Sequence, residues 1–296
     1  MTRSVQGIFP ALVTPFDNNE VAADKLRSNI EKYNPVGFGG YLVLGSTGES
    51  VLMSEKDRLT AVEAVKSAAV PEKIIIAGTG LQSAPATIDF SNKAAGAGAD
   101  LALVVTPFYY KGQMTAGNLE AYFREVADNV KIPVLLYNVQ KFTGVSLPLE
   151  TIATLAEHPN IAGLKESSGN IAFLTEILKA CPADFSVLQG SGSVLFSSLQ
   201  LGAHGGILAL SNFAARETVE IFNCVRSGEL DRAKELQYKV IGLNQKIVGS
   251  FGVPGIKYAL DLLGYHGGKP MAPLREAPQN VKDAVRELLS EAGLLS

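Results

Sequence analysis

Short apolar runs rich in β-branched residues recur along the chain at intervals of about 25–35 residues, the spacing of a strand plus its crossover helix. Eight such runs read as strands: Gly7–Val13, Gly40–Leu44, Ile74–Ala77, Leu101–Val105, Val134–Tyr137, Ile161–Lys165, Ser186–Gln189 and Gly206–Leu210. Each is followed by a segment of helical periodicity. The clearest are Ser54–Ala69, Ala84–Ala95, Ala116–Val130, Leu149–Glu157, Ile171–Ala180 and Ala214–Arg226. Strands that alternate with helices pair in parallel, and unbroken apolar runs such as Ile74-Ile75-Ile76 suit a sheet covered on both faces. The unit repeats without an obvious topological switch, which predicts closure into an α/β (β/α)8 TIM barrel over residues 1–228.

Beyond that point, helical patterns at Glu229–Val248, Gly255–Leu263 and Gln279–Leu294 hold too few apolar positions for a core of their own. Residues 229–296 therefore read as a C-terminal helical extension. Helix starts support the parsing: Ser54 stands three residues ahead of Asp57, and Asn170 follows Ser168-Gly169 as a cap for the helix behind strand six.

Composition narrows the function classes. With 26 basic and 29 acidic residues the net charge is −3, and no Lys/Arg-rich run offers a surface for nucleic acid. The two cysteines, Cys181 and Cys224, are far apart and form no CxxC pattern, which fits a reducing compartment and argues against a zinc site. No apolar stretch reaches the roughly 18 residues that suggest a membrane span. The first residues run straight into the first strand without a leader-like segment, so the expected location is cytoplasmic. The histidines, His158, His204 and His266, show no metal-ligand spacing and read as structural.

Active sites of such barrels lie at the C-terminal ends of the strands, which turns the sequence into a short set of segments. Most of them carry hydroxyls, tyrosines and glycines, and one carries an obvious nucleophile. Lys165 ends the run Ile161-Ala162-Gly163-Leu164, and strict alternation would put Ile161, Gly163 and Lys165 on one face, with Gly163 leaving space beneath the lysine. A lysine on the lumen face loses water, its pKa falls, and a neutral amine becomes available to attack a carbonyl. A solvent-facing lysine where the strand runs out is the competing reading. Tyr137, at the end of the neighbouring strand, is a candidate proton relay or a core tyrosine with a satisfied hydroxyl.

Gly45-Ser46-Thr47-Gly48-Glu49 offers backbone and hydroxyl donors that suit a carboxylate, though short Ser/Thr/Gly strings also make ordinary turns. Gly190-Ser191-Gly192-Ser193, where many barrels bind phosphate, supports a rival sugar-phosphate or flavin ligand, but no basic residue follows it.

Taken together, several segments resemble the dihydrodipicolinate synthase/N-acetylneuraminate lyase superfamily of class I aldolases. They are Gly45–Glu49, Thr106-Pro107-Phe108-Tyr109-Tyr110, Leu136-Tyr137-Asn138-Val139, Gly163-Leu164-Lys165-Glu166-Ser167-Ser168-Gly169 and Gly202-Ala203-His204-Gly205-Gly206. The resemblance runs through essentially the whole chain. It implies Lys165 as the imine-forming lysine, Tyr137 as proton relay, and Ser46 and Thr47 as carboxylate ligands, with Ser46 also in the relay. It implies Tyr109, with Tyr110 as the adjacent alternative, as the tyrosine given to a neighbouring subunit's site. Ser167 would touch substrate, while Gly190 and Ile207 would line the pocket. A homotetramer built from two tight dimers, pyruvate as the 2-oxo acid, and no metal or organic cofactor are further implications.

Synthases of the superfamily carry an arginine shortly after a Tyr-Asn-Val-Pro motif; here Phe142 stands in its place and Gln140 in the proline's. A phenyl ring cannot make the bidentate pair that a guanidinium offers a carboxylate, and Lys141 is expected to point the other way. The segments Phe251–Lys257, Gly264–Gly268 and Ala272–Leu274 resemble the 4-hydroxy-2-oxoglutarate aldolase branch. The resemblance thus implies retro-aldol cleavage of a 4-hydroxy-2-oxo acid to pyruvate and an aldehyde. The alternatives are dihydrodipicolinate synthesis from pyruvate and aspartate semialdehyde, then a sugar-acid aldolase or dehydratase. From a different class stands a non-catalytic 2-oxo acid sensor, against which the intact Lys165, Tyr137 and Ser46 speak.

Overall fold

The computed structural model describes residues 5–295 and is a closed parallel barrel ringed by helices. Its strands are β1 (Gly7–Pro10), β2 (Gly40–Val43), β3 (Ile74–Gly78), β4 (Leu101–Val105), β5 (Val134–Asn138), β6 (Ile161–Glu166), β7 (Ser186–Gln189) and β8 (Gly205–Leu208). Each pairs in parallel with its sequence neighbour from β2 through β8, and β8 pairs back onto β1. Between β1 and β2 the ring closes through an Ala11–Leu42 bridge, the Leu12 N–H donating to the Leu42 carbonyl at 2.9 Å.

Strands β3, β5 and β6 run one residue beyond the expected end, while β2 stops one residue and β8 two residues short of it. β1 stops at Pro10 rather than Val13, because the Val13 N–H donates to Asn212 Oδ1 and leaves the ladder. The helix expected over Glu229–Val248 breaks after Leu243. Residues Asn244–Phe251 widen into π turns, Asn244 Nδ2 bonds Ser193 Oγ at 2.8 Å, and a new helix starts at Gly252. A hairpin joining Phe16–Asp17 to Glu20–Val21 precedes the first helix, Ala23–Tyr33. Asn18 and Asn19 both take left-handed φ in its turn, the requirement of a type I′ hairpin. Both expected caps form: Ser54 Oγ accepts the Asp57 N–H and Asn170 Oδ1 accepts that of Phe173.

The lumen is filled by Phe9, Leu42, Ile76, Leu103, Leu135, Leu188 and Ile207, while a second set, including Val134, Leu136, Ile161 and Leu164, packs under the helices. Past residue 228, Leu236, Val240, Ile256, Leu260 and Leu289 join the same apolar cluster as the barrel's own Val43, Ile75 and Ile221. The tail therefore folds onto the barrel.

Strand β6 departs from simple alternation. Val134 pairs with Ile161 but Leu135 pairs with Gly163, so Ala162 is bulged. Ile161 consequently lies on the helix side and Ala162 in the lumen, which corrects the expectation that Ile161 shares a face with Lys165. Gly163 also has a different reason from the one expected. A Cβ there would lie 2.1 Å from the Ser186 carbonyl oxygen, so glycine permits the close approach of β7 rather than making room for the lysine. Gly163→Ala is accordingly expected to cost about 2 kcal/mol or more of unfolding free energy in urea titration, and a loss below about 0.5 kcal/mol would contradict this origin.

Candidate active site

The bulge sets the register at the barrel mouth. Tyr137 pairs with Lys165, and Lys165 with Leu188, so lysine and tyrosine project side by side from β6 and β5. Lys165 is only 4 % exposed, and its Nζ lies 4.5 Å from the Tyr137 ring centroid. Burial holds the Lys165 ammonium below the ordinary lysine range, and Tyr137 partly opposes that by favouring the charged form. No carboxylate pairs with this amine among the described residues. The competing reading of a solvent-facing lysine is thereby excluded.

Across the mouth, Ser46 Oγ stands 3.5 Å from the Tyr137 hydroxyl, at the outer limit of a hydrogen bond. Ser46 and Thr47 sit in the 3₁₀ turn Ser46–Gly48, both half-buried. Left-handed φ at Leu44 (63°) and Glu49 (61°) brackets this turn, an unfavourable conformation for both residue types. Neighbouring elements must therefore hold it. Thr14 Oγ1 donates to the Gly48 carbonyl at 2.8 Å, and Glu49 Oε1 lies 2.7 Å from Lys257 Nζ.

The other expected residues divide into those brought to the mouth and those left outside. Ser167 follows β6 with a buried hydroxyl that has no hydrogen-bond partner among the described residues. It fills the space beside Gly190, where a Cβ would come within 1.9 Å of Ser167 Oγ. Ile207 is fully buried in the lumen cluster that contains Tyr137. Phe142, in the short helix Gln140–Thr143 after β5, is 64 % exposed, and Lys141 Nζ turns away to the Gly249 carbonyl at 3.2 Å. Tyr109 and Tyr110 project into solvent with rings 5.0 Å apart, and neither hydroxyl is bonded within the chain's described residues. Their loop is nonetheless fixed, since Gln82 Oε1 accepts the N–H groups of both Phe108 and Tyr109.

Two features escaped the sequence reading. Glu166 Oε2 accepts from Asn138 Nδ2 at 2.6 Å and Oε1 accepts the Ser168 N–H, tying the ends of β5 and β6 together directly beyond Tyr137 and Lys165. The Glu49–Lys257 pair, with both side chains essentially inaccessible, joins the turn after β2 to the tail. Its signals were an acid closing a glycine-hydroxyl loop and a lone lysine in the apolar segment Gly255–Leu260.

Two of the histidines have structural side-chain partners: His158 Nε2 bonds Asp128, and His204 Nδ1 accepts the Val187 N–H. Among the described residues, no group of His, Cys, Asp and Glu side chains could hold a metal ion, and no helix is long and apolar enough to cross a membrane. The Gly190–Ser193 loop is bonded by Gln189, Gln237, Asn244 and the Glu166 carbonyl, and by no cationic side chain among the described residues.

Comparison with known proteins places this geometry among relatives. Residues 4–292 match the model of the dihydrodipicolinate synthetase family. A 4-hydroxy-tetrahydrodipicolinate synthase of Methanococcus maripaludis is 32 % identical over 292 residues, covering 98 % of this chain and 100 % of its own. One from Methanothrix thermoacetophila is 35 % identical over 289 residues, covering 97 % of this chain and 96 % of its own. The crystal structure of the chloride-inhibited dihydrodipicolinate synthase from Acinetobacter baumannii, complexed with pyruvate, superposes with a TM-score of 0.93 at 28 % identity, covering 98 % of this chain and 100 % of its own. Both relatives carry the synthase name, not that of the 4-hydroxy-2-oxoglutarate aldolase branch that the tail segments resemble.

The lowered pKa of Lys165 has a consequence for stability. Its unfolded value is 10.5, so below that pH the unfolded chain binds a proton more readily than the folded one, and stability rises as pH climbs toward 10.5. Lys165→Met removes this penalty. Urea unfolding should show the variant more stable than wild type at neutral pH, with the gain shrinking toward pH 10.5; a gain independent of pH would refute the desolvated amine.

Proposed function

The chain belongs to the dihydrodipicolinate synthetase family, and from that premise we propose that it is a Schiff-base lyase that makes or breaks a carbon–carbon bond at C3 of pyruvate. The observation that carries this reading is the buried Lys165 amine, packed beside Tyr137 at the barrel mouth with no carboxylate partner among the described residues. A neutral amine attacks the C2 ketone, water leaves, and the resulting iminium withdraws electrons from the C3–C4 bond. The 4-hydroxyl gives up its proton as the aldehyde departs, the remaining enamine is protonated at C3, and water hydrolyses the iminium to release pyruvate and regenerate the lysine amine. In the other direction, C3 loses a proton and the enamine attacks an aldehyde. The family needs no external cofactor, because the lysine imine with pyruvate supplies the activation.

Each neighbouring residue has a task in this scheme. Tyr137, with Ser46 within reach of its hydroxyl, moves protons to and from the carbinolamine and the aldehyde oxygen. The Thr47 hydroxyl and the N–H groups of Ser46 and Thr47 receive the pyruvate carboxylate, the Gly48 N–H being bonded to the Gly45 carbonyl. Ser167 offers its free hydroxyl to substrate, and Gly190 and Ile207 shape the pocket wall. Tyr109, 75 % exposed on a fixed loop, completes the site of a neighbouring subunit in a homotetramer of paired dimers.

The names of the full-length relatives support condensation of pyruvate with aspartate semialdehyde, giving 4-hydroxy-tetrahydrodipicolinate. A second reading, cleavage of a 4-hydroxy-2-oxo acid such as 4-hydroxyoxoglutarate, rests on Phe142. That position offers no guanidinium for the semialdehyde's carboxylate, and Lys141 is engaged with Gly249.

Two coupled assays separate these readings: pyruvate consumption with aspartate semialdehyde, and pyruvate release from 4-hydroxy-2-oxoglutarate. The first reading predicts the higher kcat/KM for the semialdehyde, and activity confined to the second assay reverses the order. In either assay Lys165→Ala should abolish turnover while exposed Lys131→Ala retains it. Tyr137→Phe should lower kcat by about 10²- to 10⁴-fold, the usual worth of general acid–base catalysis. Turnover that survives Lys165→Ala overturns the lyase reading.

A further inference from the structure

The Ser46–Gly48 turn cannot hold its own shape, because two non-glycine residues at its ends, Leu44 and Glu49, both sit at left-handed φ. What holds it comes from elsewhere in the chain. Glu49 Oε2 accepts the Met271 N–H at 2.7 Å, and Glu49 Oε1 lies 2.7 Å from Lys257 Nζ. Lys257 Nζ also donates to the carbonyls of Thr14 at 2.8 Å and Lys269 at 2.9 Å, and it rests 4.5 Å from the Phe16 ring centroid. Thr14 returns to the turn through its hydroxyl on the Gly48 carbonyl. One buried cation thus gathers the segment after β1, the turn after β2 and two parts of the tail.

We infer that Glu49 and Lys257 are positioning residues through which the C-terminal extension sets the carboxylate-binding turn, so that the tail governs recognition of the oxo acid. The inference rests on the lyase reading of the site. Neither residue touches substrate; each acts through the backbone of Ser46, Thr47 and Gly48. A purely stabilising role is the weaker account, since a buried ion pair commonly contributes no more stability than a well-packed apolar pair of similar volume. Its particular property is direction. The pair fixes the carboxylate of Glu49, and with it the φ of that residue, in a way an apolar contact does not.

The test is reductive trapping of the full-length chain by borohydride over a range of pyruvate concentrations, with acetone as a ketone that lacks the carboxylate. Two variants are used. Glu49→Gln combined with Lys257→Met removes both charges and leaves no buried ion unpaired, whereas Thr14→Val removes only the hydroxyl on the Gly48 carbonyl and preserves shape. Positioning predicts that half-saturating pyruvate rises about 10- to 100-fold, the worth of one misaligned hydrogen bond to a charged group. Acetone trapping in the same variants should stay at the wild-type level.

Wild-type half-saturation by pyruvate in the folded variants overturns the inference. So does an equal loss with pyruvate and acetone, which marks general collapse of the site. If the paired variant does not fold, Glu49→Gln alone, which keeps the side-chain shape and an oxygen for the Met271 N–H but removes the charge facing Lys257, decides by the same two readouts. Failure of the lyase reading is distinct, because then wild type itself is not trapped by pyruvate.

Discussion

The removal of one amine from water at the C-terminal end of β6 is the constraint on which the site depends. Lys165 is buried with no carboxylate partner among the described residues, whereas at Lys257 the carboxylate of Glu49 partly opposes a burial that still lowers the lysine's pKa. The two lysines show the same desolvation put to different ends. At Lys257 the Glu49 carboxylate favours the charged form against that burial and pins the side chain, while Lys165 has the Tyr137 ring beside it and no counter-charge among the described residues.

Placement of that amine follows from backbone detail rather than from side-chain chemistry. The bulge at Ala162 shifts the register of β6 against β5, and this shift is what pairs Lys165 with Tyr137. The close approach permitted by Gly163 seats β7 alongside, and Glu166, bonded to Asn138 and to the Ser168 N–H, locks the strand ends just beyond the reactive pair. On the opposite side the strained turn that carries Ser46 and Thr47 is held by Thr14 and by the tail. The mouth is therefore assembled from all along the chain, including the helices past residue 228.

Much of this was legible in the sequence. Eight apolar runs at regular spacing specify strands because a parallel sheet covered on both faces needs no alternation, and Lys165 stood out because an ionisable group closes one of those runs. What escaped prediction depends on long-range pairing. The bulge at Ala162 is visible only against β5, so strict alternation misplaced Ile161. Where the helix widens, Asn244 bonds Ser193, 51 positions away, and the Glu49–Lys257 pair joins residues far apart along the chain. The Asn18-Asn19 hairpin is a different case, since its type I′ signature is local and readable.

The central claim is that Lys165, among all the lysines, captures the carbonyl of a 2-oxo acid. Borohydride reduction in the presence of pyruvate, followed by proteolysis and peptide mass mapping, addresses it directly. The account predicts a single reduced pyruvyl adduct on the peptide that contains Lys165, and none when pyruvate is omitted. An unmodified Lys165 peptide, or an adduct on another lysine, would contradict it.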